Sequence, residues 1–355
     1  MKKTFSVLFI ALFLLLCLLP SAGMLIWGES GAAANEILAD APRLTTADGR
    51  FNTHVLNDAS NYIADRFAFR QQFVTAWAGL NASLLHSSVD EQVLLGREGW
   101  LYYGSTLDDY TGARLPDEDL ERIAQNLADI QAYVESQGRS FVFTVAPNKN
   151  SLYPGHMPGA IENRHDAANL PALLPYLRRY GVHYVDLCSL FAGGEEQYYR
   201  TDSHWTARGA AMAADELLPA MGRESSYAAG PFGSGGVHKG DLYEMLYPAA
   251  RGAEEELLYL GAFSYSCQND PRGGDAITIR TENAAADGAL LCWRDSFGNA
   301  LYPYLADSFG TALFSRAADY DFTRYDIRDY DAVLIEIVER NLPWLAEDCA
   351  VFPQE

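Results

Sequence analysis

The stretch LERIAQNLADIQAYVESQGRSFVFTVAPNKN, running from Leu120 to Asn150, carries the pattern on which the architecture turns. Leu120, Ile123, Leu127, Ile130 and Val134 recur at three- and four-residue steps, the spacing of one apolar face of a helix. Pro116 near its start and Gly138 at its end supply the expected punctuation. Phe141 to Ala146 is then a short, uninterrupted apolar run suited to a buried strand. The same alternation continues downstream. Leu170 to Tyr180 reads as a helix ended by Gly181, Val182 to Leu187 as a strand, and Thr206 to Met221 as a helix with Thr206 at its N-cap. Ala289 to Trp293, Thr311 to Phe314 and Ala332 to Val338 read as strands, with a helix from Gly298 to Asp307 between the first two. Strands alternating with amphipathic helices predict an α/β fold, a three-layer α/β/α sandwich around a mostly parallel sheet.

Outward from this region the chain changes character. Residues 1–28 form a leader: Lys2 and Lys3, an apolar run from Phe5 to Leu19, Pro20, and a second apolar stretch from Met24 to Trp27. That pattern fits a signal peptide, with small residues at Ser21-Ala22-Gly23 and Gly31-Ala32-Ala33-Ala34 for cleavage. It also fits a transmembrane anchor, because Phe5 to Trp27 would span about 30 Å at roughly 1.5 Å per residue. Both readings place the remainder outside the cytoplasm, anchored to the membrane or secreted. Residues 29–89 read as a stalk and a helical lead-in, with Tyr62, Phe67, Phe69 and Phe73 among charged neighbours. Residues 90–355 make the α/β domain, opened by a hairpin around Arg97-Glu98-Gly99. Within it, residues 222–287 read as an irregular insertion, with strands around Leu257 to Ser266 and Ala276 to Arg280.

Bulk properties narrow the partners. About half of the 355 residues are hydrophobic, enough for a large core, and the formal net charge is −21. Without a concentrated basic face, nucleic acid is not an expected partner. Five cysteines include Cys17 in the leader and Cys188, Cys267, Cys292 and Cys349 beyond it, with no CxxC spacing to suggest zinc or redox chemistry. One or two disulfides, or isolated thiols, both fit.

Functional groups collect at the carboxyl ends of parallel strands. Three segments sit there. In Leu291-Cys292-Trp293-Arg294-Asp295-Ser296-Phe297-Gly298, a strand runs into a serine and then a helix, so Ser296 is a candidate nucleophile beside unpaired helix N–H groups, or a simple N-cap. In Tyr199-Arg200-Thr201-Asp202-Ser203-His204-Trp205, Asp202 and His204 lie two apart and can project together, as an imidazole base and its orienting carboxylate, or as a surface loop with a capping Asp. Metal binding by that pair lacks a third ligand at a recognisable spacing. In Thr144-Val145-Ala146-Pro147-Asn148-Lys149-Asn150, Asn148 could donate its amide to an oxyanion, or belong to an ordinary turn.

In this combination the chain resembles the SGNH-type AlgJ and AlgX proteins of alginate and exopolysaccharide O-acetylation, and most closely the DHHW group of cell-surface proteins. The resemblance rests on Asp65-Arg66-Phe67 with Phe69-Arg70, Gly96-Arg97-Glu98-Gly99-Trp100-Leu101, and Pro147-Asn148-Lys149 with Tyr153-Pro154. It continues through Thr201-Asp202-Ser203-His204-Trp205, Asp295-Ser296-Phe297-Gly298 and Glu339-Arg340-Asn341-Leu342. It implies an SGNH hydrolase-like fold with a rearranged motif order, the Asp-x-His segment preceding the serine. It further implies a triad of Ser296, His204 and Asp202 and acetyl transfer to a polysaccharide. The expected partner is a membrane-bound O-acyltransferase; no cofactor is implied. An acetyl-esterase and a non-catalytic glycan-binding or scaffold protein are the alternatives. Two positions depart from the pattern. Arg294 stands where the alginate proteins usually carry Gly, a change that could alter access or add an anion contact, and Ser203 replaces the first His of the DHHW signature.

Overall fold

The computed structural model describes residues 2–32, 37–192, 197–317, 319–347 and 350–353. The chain divides into two compact units, Met1–Val93 with Lys239–Gly252, and Leu94–His238 with Ala253–Glu355.

The first unit is helical, built on Lys2–Trp27, Val55–Arg66, Arg70–Leu85 and Asp241–Leu246. The Trp27 ring meets Phe69 edge-on at 5.2 Å, and Thr75 Oγ1 accepts a 3.0 Å hydrogen bond from Ala249 N, tying the 239–252 segment to the third helix. Among the described residues, no helix is long and apolar enough to cross a membrane. The leader does form a helix, Lys2–Trp27, with Pro20 inside it, but the transmembrane reading finds no support.

In the second unit, β1 (Val93–Leu95) and β2 (Leu101–Tyr103) form the expected hairpin. Glu98 and Gly99 both have positive φ, 57° and 80°, as a tight primed turn between two strands requires. The Leu120-to-Val134 stripe is buried on the helix Asp117–Ser136, whose first turn carries three acidic residues at the positive end of the helix dipole. β3 (Ser140–Ala146) follows. The helix Asn169–Tyr180 ends at Gly181 in the left-handed conformation. β4 is only Tyr184–Val185, shorter than its apolar run, because Asp186 caps the short helix Leu187–Phe191 through Ser189 N. Thr206 caps Ala207–Ala220, its Oγ1 accepting from Gly209 N.

The insertion holds four strands: β5 (Phe232–His238), β6 (Glu254–Tyr259), β7 (Ser266–Cys267) and β8 (Thr278–Glu282). β5 and β6 pair with each other as an antiparallel hairpin, while β7 and β8 join the main sheet. β8 qualifies because Ile279 and Thr281 alternate inward. β9 (Ala289–Trp293), β10 (Thr311–Ser315) and β11 (Ala332–Val338) complete a seven-stranded sheet in the order β4-β3-β11-β9-β10-β8-β7. β4 through β10 in that order run parallel; β8 pairs antiparallel with β10 and β7 antiparallel with β8, so the sheet is mixed at one edge.

Each central strand feeds two cores. Leu290 and Cys292 face the helices Ala207–Ala220 and Gly298–Ser308, whereas Leu291 and Trp293 face Asp117–Ser136 and Asn169–Tyr180. This is the three-layer arrangement expected from the sequence. Among the described residues Cys188, Cys267 and Cys292 are free thiols; Cys349 lies outside them. β11 is buried along its whole length between β3 and β9. Truncating its fully buried Ile335 to alanine should lower stability by about 2–5 kcal/mol, read by equilibrium denaturation.

Candidate active site

Because β3, β9, β10 and β11 are parallel, their carboxyl ends share one edge of the sheet. The segments after β9 and β11 meet there. Ser296 follows β9 by three residues and precedes the helix Gly298–Ser308. The bend is held by Asp295: its Oδ1 accepts from Phe297 N at 2.9 Å, and its Oδ2 accepts from Val338 N at 2.7 Å and Asn341 Nδ2 at 3.3 Å. Gly298 must be glycine, since a Cβ there would lie 2.4 Å from the Arg294 side chain.

The Asp202–His204 loop reaches the same place. Ser296 Oγ donates to His204 Nε2 at 2.9 Å, and His204 Nδ1 donates to Asp202 Oδ1 at 2.8 Å. This tautomer follows from the bonding pattern: the Asp202 carboxylate, which can only accept, lies nearer to Nδ1 than the Ser203 hydroxyl at 3.3 Å, so the proton sits there. Trp205 Nε1 donates to Phe297 O at 3.1 Å, which ties the loop directly to the serine bend. Burial alone would push the Asp202 carboxyl up, but hydrogen bonds from His204 and then His238 outweigh it and hold it well below the usual carboxylate range. Asp202 is therefore ionised at neutral pH.

Residues not singled out from the sequence shape this loop. Lys149 is buried, and its ammonium donates to the carbonyls of Asp202, Arg200 and Tyr199 at 2.6, 3.0 and 3.1 Å. The rings of Trp100 and Tyr102 lie 5.6 and 5.2 Å from the same nitrogen. From β6, the Glu254 carboxylate accepts from the N–H groups of Arg200 and Thr201, each at 2.8 Å, and from the Thr201 hydroxyl. His238, at the end of β5, donates from Nε2 to Asp202 Oδ2 at 3.1 Å.

A cavity of about 470 Å³ opens at Ser296, bordered by Tyr103, Tyr320 and Trp344 and by Arg316, Arg340 and Glu336. Arg340 sits between the Tyr103 and Phe297 rings, 5.2 and 5.6 Å from their centroids. It has no ion pair among the described residues, although the protein is strongly acidic. Glu336 lies on the cavity floor; burial, then the charge of Asp295, raises its carboxyl well above the usual range, so it is uncharged there.

The two auxiliary assignments need correction. Arg294 lines the cavity, but its guanidinium turns inward to Asp295 O, Asn299 Oδ1, Gly274 O and Ala276 O at 2.5–3.2 Å. It braces the loop at Gly274, and both of its Nη atoms are committed to these acceptors. Asn148 is fully buried, donates from Nδ2 to Asp109 Oδ2 at 2.9 Å, and is not among the residues bordering the cavity. Its place is in a buried network beneath the Arg340–Asn341 turn. Glu339 accepts from Asn148 N at 2.8 Å and Ser151 Oγ at 2.9 Å and pairs with His165, while Asp109 also accepts from Asn169 Nδ2 at 3.2 Å.

That network makes stability depend on pH. Burial, then the Glu339 charge, raises the Asp109 carboxyl to about 7. A group whose folded pKa is raised contributes its full stabilisation below the unfolded value and loses it as pH rises through the folded value. Unfolding free energy should fall between about pH 4 and 7, by up to ~1.4 kcal/mol per unit from this group. Asp109→Asn should flatten that dependence in denaturation curves taken at pH 4, 5.5, 7 and 8.

With this geometry in hand, comparison with known proteins is informative. Residues 93–249 match the family described as an SGNH hydrolase-like domain, acetyltransferase AlgX. The match takes in Asp202 and His204 and stops before Ser296. A probable alginate O-acetylase AlgJ of Pseudomonas fluorescens is 25% identical over 308 residues, 81% of this chain and 72% of that one. The chain spans about half the length of the other curated AlgJ relatives it matches. PatB1 of Bacillus cereus has the same fold, with a TM-score of 0.57 at 19% identity over 70% of this chain and 96% of that one. A DHHW family protein of Eubacterium siraeum aligns over 66% of this chain and 90% of its own, at 16% identity and a TM-score of 0.49. The chain is thus similar to the AlgJ and AlgX proteins and shares the SGNH hydrolase-like α/β fold.

Proposed function

We propose that this protein is a serine O-acyltransferase that moves an acetyl group onto a hydroxyl of a polysaccharide through an acyl-Ser296 intermediate. The observation that carries the reading is the continuous relay from Ser296 Oγ through His204 to the ionised Asp202. In the first half-reaction His204 Nε2 takes the Ser296 proton as Oγ bonds to the acetyl carbon. The imidazolium, stabilised by Asp202, then returns that proton to the departing group of the donor. In the second, His204 takes the proton of the acceptor hydroxyl as its oxygen attacks the acyl-enzyme, and Ser296 Oγ leaves with that proton. The first-turn N–H groups of the helix Gly298–Ser308 lie beside the serine and suit the negative charge of each tetrahedral intermediate. The aromatic border of the cavity offers flat apolar faces for sugar rings, and Arg340 offers hydrogen-bond donors to sugar or acyl oxygens.

The leader supports placement outside the cytoplasm, where such a glycan would be met. An acetyl donor made inside the cell would then have to be handed across the membrane, which is the task of a membrane-bound O-acyltransferase partner. AlgJ relatives named as probable alginate O-acetylases support transfer to a polysaccharide.

The test uses the full-length protein in mild detergent with an activated acetyl ester, with and without an acetylatable oligosaccharide, following acetyl release and intact protein mass. Wild type should gain one acetyl group on Ser296 and pass it to the sugar, while Ser296→Ala should do neither. Product that is only free acetate would make the protein an esterase. A wild type as inert as Ser296→Ala across several esters would refute the catalytic reading and favour a glycan-binding role. Arg340→Ala should raise KM for the oligosaccharide about tenfold, equivalent to ~1.4 kcal/mol of binding, with a smaller effect on kcat.

A further inference from the structure

Asp202 serves two imidazoles, not one. Its Oδ1 receives His204 Nδ1, and its Oδ2 receives His238 Nε2 at 3.1 Å. His238 reaches it from β5, a strand of the insertion hairpin, 34 residues after His204 in sequence. Its ring is not loosely placed: it stacks on Tyr199 with centroids 3.9 Å apart and planes at 15°. Tyr199 is fixed in turn, its hydroxyl donating to Leu257 O at 3.4 Å and accepting from Leu257 N at 3.1 Å. The hairpin therefore grips the loop at three points: Glu254 on its backbone, Leu257 on the Tyr199 hydroxyl, and His238 on the carboxylate itself.

We propose that His238 is a second, positioning histidine of the Ser296–His204–Asp202 site, which fixes the rotamer of Asp202 and shares its charge with His204. This rests on the serine-hydrolase-like reading of that site. The bond to Oδ2 leaves Oδ1 aimed at His204, so the base is oriented even before substrate arrives. The shared charge has a further effect. Burial lowers the affinity of His238 for a proton, but the hydrogen bond and charge of Asp202, with Glu254 and Glu256 on β6, raise it overall. A protonated His238 cancels part of the negative charge that would otherwise favour protonation of His204. Loss of the His238 charge is therefore expected to shift the acid limb of any reaction that uses His204 as its base.

The test compares full-length wild type, His238→Gln and His238→Ala, with phenylmethylsulfonyl fluoride as the probe. Its reaction with Ser296 forms an Oγ–S bond and releases fluoride, the serine proton passing to His204. The rate is followed by intact mass from pH 5 to 9, and the downfield proton resonance of the His204 Nδ1–H is recorded in parallel. His238→Ala should slow labelling about tenfold at pH 8, and His238→Gln, which keeps a donor, should recover most of that loss. Because Gln carries no charge, the acid limb of its profile should move up by about one pH unit, the scale on which like charges a few ångströms apart perturb titration. Wild-type rates and an unmoved acid limb in both variants would overturn the proposal. If Ser296 is unlabelled even in wild type, the nucleophile reading fails, and His238 is judged on the resonance alone. A signal retained in Gln and lost or shifted in Ala supports it, whereas a signal unchanged in Ala rejects it.

Discussion

The buried ammonium of Lys149 is the point from which the site takes its shape. Three carbonyls of one short loop converge on it, and that of Arg200 also accepts from Leu101 N on β2 at 2.8 Å. The charge is tolerated because carbonyl dipoles and two aromatic faces replace water around it. With its backbone held in this way, the loop carries Asp202 and His204 to the serine bend. The Asn-Lys pair after β3 thus acts through the loop's backbone.

Charge is distributed at the cavity against the trend of the whole molecule. The chain carries a net −21, yet the groups bordering the cavity include Arg316 and Arg340, the latter without an ion pair among the described residues, while Glu336 is held neutral by burial. Asp295 is the exception, and its two oxygens are occupied by N–H donors from the serine bend and the end of β11. A cavity arranged in this way suits oxygen-rich ligands, because donors dominate its polar face.

Much of this was legible from spacing. The stripe Leu120 to Val134, the Arg-Glu-Gly turn, the Thr206 cap and the run into Ser296 are local features, and local physics decides them. The Asp-x-His spacing was legible for the same reason: two side chains in an extended loop share a side. Asn148 and Arg294 were misjudged because position at a strand end does not say where a side chain points. Asn148 turns inward to Asp109, and Arg294 folds over Gly298 toward the Gly274 carbonyl. His238 and Glu254 carried no signal at all, since their meaning lies in a hairpin pairing that brings them onto a loop some 35 to 50 residues earlier. Arg340 stands two residues past β11 in the Glu339-Arg340-Asn341-Leu342 stretch, a position at the carboxyl edge of the sheet from which a site role can be read.

The position of β11 bears on how the molecule comes into being. It is the last strand among the described residues but lies in the middle of the sheet, hydrogen-bonded to β3 on one side and β9 on the other. Until residues 332–338 are available, the halves of the sheet have no common neighbour, and Asp295 lacks the Val338 N–H that sets the serine bend. The fold therefore has a high contact order at its centre, and its nucleus cannot close by growth from the N-terminus. A chain still being synthesised therefore holds no assembled contact between the serine bend and the Asp202–His204 loop until residues 332–338 have joined the sheet.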